Sequence, residues 1–214
     1  IHVHPDGVVQ VDAPQATPLG EIKAAMSKRA RWLCGHIARI QTQDVDVLPR
    51  EYVSGESHYY LGRRYVLKIR AAKCDKPSVK LRCGQIQVVT DNRHRDHIQS
   101  MLWEWYRAHA QVVFQRRLGA LCDGLNWIHQ APRWKLLAMK RQWGSCSPAG
   151  VLTLNPHLVK APTQCIDYVL LHELCHTRVH NHSRRFYRLL STHMPGWEAV
   201  KGRLDGMAEL LLNT

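Results

Sequence analysis

His172-Glu173-Leu174-Cys175-His176, continuing through Thr177-Arg178-Val179-His180-Asn181 to His182, is the stretch from which the rest of the chain is best read. Residues four apart on an α-helix lie one above the other on a single face, so His172 and His176 can turn two imidazole nitrogens towards one metal ion. Glu173 is rotated by about 100° from His172, near enough for its carboxylate to meet a water on that ion. Ile166, Val169, Leu170, Leu171 and Leu174 surround the same helix axis on several sides, which marks a buried helix. Two histidines and a glutamate in such a setting need compensation for lost hydration, and a metal supplies it. With 14 His and 7 Glu in the chain, an H-E-x-x-H match is expected by chance only about 0.03 times.

Two residues compete to complete the ligand set. His180 continues the four-residue ladder, yet along a straight helix it lies about 12 Å from His172, too far for both to reach one ion with bonds of about 2 Å. His182 is off the ladder and requires the helix to end and the chain to turn back. Asn181 tolerates the left-handed backbone such a reversal often uses. The offset also matches that of metzincin proteases, although Val179 stands where those have a helix-ending glycine. His182 is therefore the expected third ligand, with His180 the second choice. Three histidines leave one position of a tetrahedral Zn2+ open for water, the mark of a catalytic rather than a structural site. Glu173 is then the general base that takes the water's proton during attack on a carbonyl. Tyr168, Arg178 and His180 stand as unranked donors for the developing oxyanion. Cys175 points away from the Glu173 side and is read as packing.

Composition narrows the setting. The 214 residues suit one domain or two small ones, and no segment approaches the apolar run of a membrane-spanning helix. The chain opens on Ile1-His2-Val3-His4, without Met or an apolar signal region, which suggests a trimmed N-terminus. Seven cysteines, an odd number with no C-x-x-C pair, argue against a disulfide framework and against a cysteine zinc finger. A reducing, cytoplasmic location is expected. The net charge of +13 admits nucleic acid or other acidic partners, with the cations dispersed rather than gathered in a tail.

Upstream, Ile1 to Asp12 reads as a β-hairpin about Pro5-Asp6-Gly7, and residues 18 to 41 as an amphipathic helix entered through Thr17-Pro18. Two further hairpins are expected around Gly62-Arg63-Arg64 and Cys83-Gly84-Gln85. Asp91-Asn92 can cap a long helix whose face runs Ile98, Met101, Leu102, Trp105, His109, Val112, Val113, Arg116. His94, His97 and His109 in that helix are read as surface or packing histidines. Trp134 to Trp143 and Val151 to Asn155 read as strands, with Gly144 to Gly150 the turn between them. After Pro162-Thr163 and the signature helix, Pro195-Gly196 breaks a helical stripe, and a last helix carries Val200, Leu204, Met207 and Leu211. The expected organisation is α+β: an N-terminal region of hairpins and helices over 1–117 and a catalytic region over 118–214, with one continuous domain as the alternative.

Several of these stretches together resemble the YgjP-like metallopeptidases. They are Tyr59-Tyr60-Leu61-Gly62-Arg63-Arg64-Tyr65, Arg141-Gln142-Trp143-Gly144-Ser145-Cys146-Ser147, Leu154-Asn155, Ala161-Pro162, Ile166-Asp167-Tyr168-Val169, the signature pentad, and Asn181-His182-Ser183 with Phe186. The chain is similar, more distantly, to the WLM and SprT-like zinc proteases. The resemblance implies a compact zincin-like fold with His172, His176 and His182 on zinc and Glu173 catalytic; it does not settle the substrate, for which a peptide or protein is the leading expectation. It also implies that a strand before the active-site helix borders the cleft, Val151 to Asn155 or Trp134 to Trp143 being the expected edge. Trp143 and Cys146 would shape a turn beside the cleft rather than do chemistry. The alternatives are a nucleotide pyrophosphatase using the same metal site and a nucleic-acid-associated zinc module; retention of Glu173 speaks against the latter, because a structural zinc has no use for a base.

Overall fold

The computed structural model describes residues 2–3, 9–11, 13–14, 16–35, 38, 49–71, 77–140 and 142–213, with backbone alone at 2, 3 and 10. Strands β1 (His2–Val3) and β2 (Val9–Gln10) pair antiparallel, His2 opposite Gln10. The turn expected at Pro5-Asp6-Gly7 lies outside the described residues. Helix α1 (Leu19–Lys28) follows Pro18 and stops at Arg29, with helix resuming over 30–35. The single helix expected over 18 to 41 is thus interrupted at Arg29, and most of its end lies outside the described residues. No residue of α1 is buried, so little beyond propensity sets its length.

The first large sheet contains β3 (Ser57–Tyr60), β4 (Arg63–Ala71), β5 (Ser78–Arg82) and β6 (Gln85–Thr90) in the order β3-β4-β6-β5. Both outer pairs are antiparallel hairpins, and β4 runs parallel to β6. Each hairpin closes through two residues of positive φ, Leu61 (48°) with Gly62 (76°) and Cys83 (48°) with Gly84 (72°). That is the turn whose twist matches the strands it joins. Along β6, Ile86, Val88 and Thr90 are buried and their neighbours half-buried, which locks the register of this face.

Helix α2 (Arg95–Cys122) crosses that face and continues, about 42 Å in all. The Asn92 side chain accepts the His94 N–H at 2.9 Å, just ahead of the first turn. Its buried side carries Ile98, Leu102, Trp105, Tyr106, Ala110, Val113, Phe114, Leu118 and Cys122. Val112, expected on that face, is 70% exposed. The true stripe advances in steps of four and three and passes it by. His94 is exposed, His97 meets the Thr90 hydroxyl at 3.1 Å, and His109 lies over the Trp105 ring at 4.0 Å. The boundary expected near residue 118 falls within this helix.

The second sheet has the order β7-β9-β8, with β7 at Trp134–Leu136, β8 at Gly144–Cys146 and β9 at Leu152–Leu154. Two expectations change here. Gly144 to Cys146 is a strand rather than part of a turn, and the turn is confined to Ser147–Gly150, closed by the Gly150 N–H on the Ser147 carbonyl at 2.8 Å. The strand begun at Trp134 also stops early, because the buried Asn155 amide donates to the Met139 (2.7 Å) and Gln142 (3.0 Å) carbonyls and holds that segment as a loop. β9 is central, so it offers no free edge.

A 3-10 segment (Pro156–Lys160) leads into α3 (Thr163–His176), which packs against α2, β8, α4 (Arg184–His193) and α5 (Trp197–Asp205). A final helix, α6 (Ala208–Leu212), packs against the 3-10 segment. The last two replace the one helix expected after Pro195-Gly196; the break lies at Gly206 and Met207. Two contacts fix α3 against the upstream half. Arg117 of α2 meets Asp167 of α3 through two hydrogen bonds of 2.7 and 2.6 Å. At the β3–β4 turn, the Leu61 and Gly62 N–H groups donate to the Val159 and Lys160 carbonyls, each at 3.0 Å. A Cβ on Gly62 would sit 2.7–2.9 Å from Pro162, so only glycine allows the turn to seat against the start of α3. The architecture is α+β, and no helix among the described residues is long and apolar enough to cross a membrane.

Candidate metal centre

The last two turns of α3 carry His172, Glu173 and His176 on a helix whose other faces are buried in the core. The helix ends at His176, and the Arg178 and Val179 N–H groups still bond to the Cys175 carbonyl. The chain then turns back through Asn181 to His182 ahead of α4. No residue from 177 to 183 has positive φ, so neither the glycine of metzincins nor a left-handed Asn181 is needed for the reversal.

This turn brings the three expected ligand residues together. The Nε2 atoms of His172, His176 and His182 lie 3.0–3.2 Å from one another. They form a three-histidine group able to hold a metal ion. Three ring nitrogens cannot satisfy one another. Each carries either a proton or a lone pair, so at least two are alike and face each other unfavourably. A cation taking all three lone pairs removes the conflict, and tetrahedral bonds of about 2.0–2.1 Å would place the nitrogens about 3.3 Å apart. The donor set and spacing therefore fit a metal. His176 Nδ1 lies 3.2 Å from the Val179 carbonyl, a contact that requires the proton on Nδ1 and leaves Nε2 bare for the ion. Burial lowers the His176 pKa, which also favours the neutral ring. His180 is exposed and outside the group.

The floor of the site is Phe186 of α4, fully buried, with its ring centroid 4.9, 4.5 and 4.8 Å from those of His172, His176 and His182. Four residues past His182, it holds the three imidazoles in one arrangement; the family resemblance includes it, but helical spacing alone marks it as no more than an apolar position. Beside His182, Tyr187 lies with its ring 6.1 Å away and is 37% exposed, while Trp197 stacks between Tyr187 and Tyr168. Sequence reading had not singled out Tyr187, which carries no motif signal of its own.

Glu173 is 5% exposed, and burial pushes its carboxyl up to about 8. Its side chain lies against Gly144 of β8, where a Cβ would come within 2.9 Å of both Glu173 Cγ and Oε1. The glycine is thus the cradle of the glutamate, a role that reading Gly144 as a turn residue had missed. Burial, with the Glu173 charge second, holds the Cys146 thiol at about 11 and the Cys175 thiol at about 12, so both are protonated packing groups. The described cysteines are all free; Cys74 lies outside the described residues.

Of the three donors considered for an oxyanion, Tyr168 is buried with its ring 5.9 Å from that of His172. Arg178 lies over the Trp127 ring at 5.3 Å, and His180 is exposed.

Comparison with solved structures finds the metallopeptidase zymogen of Pyrococcus abyssi abylysin, 21% identical, with a TM-score of 0.38 over 47% of this chain and 94% of that one. The metallopeptidase zymogen of Methanocaldococcus jannaschii jannalysin is 23% identical, with a TM-score of 0.36 over 47% of this chain and 96% of that one. No curated protein matches. A sequence model of the YgjP-like metallopeptidase domain matches residues 1–207, nearly the full length, and the chain belongs to the YgjP-like metallopeptidase family.

Proposed function

We propose that this metallopeptidase is zinc-dependent, with His172, His176 and His182 holding the ion and Glu173 serving as general base. The observation that carries the reading is the triangle of three Nε2 atoms, each 3.0–3.2 Å from the others. Three neutral imidazoles suit zinc and leave a coordination position open. A bound zinc supplies Lewis acidity, which acidifies water and polarises a carbonyl.

The chain's own residues do the rest. The Val179 carbonyl holds the proton of His176 on Nδ1, and Phe186 keeps the three rings from turning. Glu173 accepts a proton from the water that attacks the peptide carbonyl carbon, then delivers it to the amide nitrogen as the C–N bond breaks. Burial favours the protonated form of Glu173, which assists the delivery; a nearby cation favours the carboxylate, which assists the first transfer. An extended peptide would pair with β8, whose other side bonds to β9 and whose Gly144 lies against Glu173.

Glu173→Gln in the zinc-loaded protein tests this. Zinc content should stay unchanged while cleavage of casein-derived peptides falls by about a thousandfold or more. An active variant would remove Glu173 from the mechanism. Hydrolysis of nucleoside triphosphates without any peptide cleavage would replace the reading by the pyrophosphatase one. Metal analysis of His182→Ala checks the third ligand: zinc affinity equal to that of the parent would move it elsewhere.

A further inference from the structure

Beside the 3-10 segment that leads into α3 lies a cavity of about 390 Å³, lined by His157 and Lys160 of that segment. It opens between the first turns of α2, the 3-10 segment and the end of α6. We infer that this cavity binds a small organic carboxylate whose anion sits against the Lys160 ammonium and whose apolar body fills the aromatic walls.

The argument begins with an uncompensated charge. Lys160 is 5% exposed and donates one hydrogen bond, to the Leu211 carbonyl at 2.8 Å, with its Nζ 5.2 Å over the Tyr106 ring. Among the described residues no carboxylate pairs with it. The acidic residue of the lining, Asp96, is 91% exposed at the rim and pairs with Arg95 at 3.8 Å. Glu56, behind the wall, is already taken. It pairs with Arg50 at 3.5 Å, accepts the Tyr52 N–H at 2.9 Å and lies 3.4 Å from His58 Nε2. Arg50, itself buried, also donates to the Ser57 and Asn213 carbonyls. A buried ammonium with a single acceptor is costly unless something brings it a counter-charge. Burial, and then the neighbouring Arg50, accordingly lower the Lys160 pKa to about 7, so the pocket as it stands resists the charge that an anion would restore.

One more group lacks a partner there. His157 Nδ1 is buried without a hydrogen bond, whereas His58 Nε2 has the Glu56 carboxylate 3.4 Å away. Burial keeps both rings neutral, at about 3, with Arg50 and then Lys160 as lesser causes at His58 and Lys160 alone at His157. With the Arg50 charge already met by Glu56, one ammonium beside neutral imidazoles matches a single negative charge better than a phosphate dianion. The apolar part of the wall is Tyr52, Leu102, Trp103 and Tyr106, with Trp103 against the His157 ring at 4.9 Å; such a surface suits an apolar or aromatic body. Ser100 and Ala138 are exposed at the rim and leave a way in.

Titration of the full-length protein with phenylacetate and with its neutral isostere phenylacetamide, followed by calorimetry and ligand-observed NMR, tests the site. The acid should bind roughly tenfold or more tightly than the amide, the factor expected for a charge-assisted contact. Lys160→Met should abolish that preference, and Ser100→Trp, at the exposed rim, should block binding without touching Lys160. The acid–amide comparison in the parent protein stands even if Lys160→Met fails to fold. Running N-acetyl-Gly-Phe beside its C-terminal amide separates a free acid from a peptide end; preference for either acid supports the site. Equal binding of acids and amides, acid binding unchanged in Lys160→Met, or competition by inorganic phosphate as strong as that by phenylacetate would overturn it.

Discussion

Gly144→Ala is the sharpest test of how the active-site helix and the second sheet cooperate. The added methyl group would meet Glu173 Cγ and Oε1 at 2.9 Å and Cδ at 3.1 Å, against an ordinary contact of about 3.5–4.0 Å. At least one side must yield by about 0.5–1 Å. β8 is tied to β9 through its ladder, with Gly144 opposite Leu154, so the backbone is the stiffer partner and the carboxylate moves. Overpacking of this kind costs about 1–3 kcal/mol of stability. A general base displaced by about 1 Å costs on the order of a hundredfold in rate. The three ligand imidazoles are not touched by the new methyl, so metal affinity should hold. The assay is kcat/KM on a quenched peptide together with zinc stoichiometry, set beside Glu173→Gln. Activity within about threefold of the parent, with the protein folded and zinc-loaded, would refute the claim that Gly144 exists to seat Glu173.

Other expectations follow from the same packing. Phe186→Ala empties the floor under three imidazoles. It should lose about 3–5 kcal/mol in urea unfolding of the metal-free protein and weaken zinc about 10–100-fold against a competing chelator, whereas Phe186→Leu should keep most of both. Gly62→Ala combines a φ of 76° with a 2.7 Å approach to Pro162 and should lower stability by about 2 kcal/mol or more, read as a fall in Tm. pH dependence provides a separate handle through His58 and His157, both held at about 3 in the fold. The unfolded chain binds more protons between about 3 and 6.5, so stability is lost as pH falls through that window, by up to about 1.4 kcal/mol per pH unit for each ring. The slope of unfolding free energy between pH 4.5 and 6 (roughly the accessible part of that window) should therefore be shallower in His157→Phe than in the parent, and equal slopes would contradict the neutral buried imidazole.

The centre was legible because its geometry is local. A four-residue step on a helix places His172 over His176 whatever surrounds it. His182 followed from rejecting His180 on distance, although the reason offered for the reversal, a left-handed Asn181, is not the route the backbone takes. What escaped sequence reading is long-range. Gly144 looks like a turn glycine until Glu173, 29 positions later, is seen against it. Nothing in the pattern from Trp134 to Trp143 says that Asn155 will claim two of its carbonyls. On α2, alternating apolar and charged positions allow more than one stripe, and Val112 was assigned to the wrong one because burial depends on where two separate sheets happen to lie.

The same long-range contacts bear on how the chain is divided. We propose that residues 49–213 fold as one cooperative unit rather than as two regions meeting near residue 118. Helix α2 buries Ile98 and Leu102 at one end and Phe114 and Leu118 at the other, all in one continuous core with Leu67 and Ile86 upstream and Leu154, Ile166 and Leu170 downstream. Polar ties cross the same line. Arg117 holds Asp167, the Trp134 indole N–H donates to the Gln115 side-chain oxygen at 3.0 Å, and Arg50 reaches the Asn213 carbonyl at 3.1 Å. A fragment beginning at residue 118 would keep the three histidines yet lose the helix that α3 packs against and the turn that seats Pro162. It should show no cooperative unfolding transition and bind zinc only weakly. A fragment that melts cooperatively and retains the parent's zinc affinity would show that the histidine centre needs nothing upstream, and the case for a single unit would fall with it.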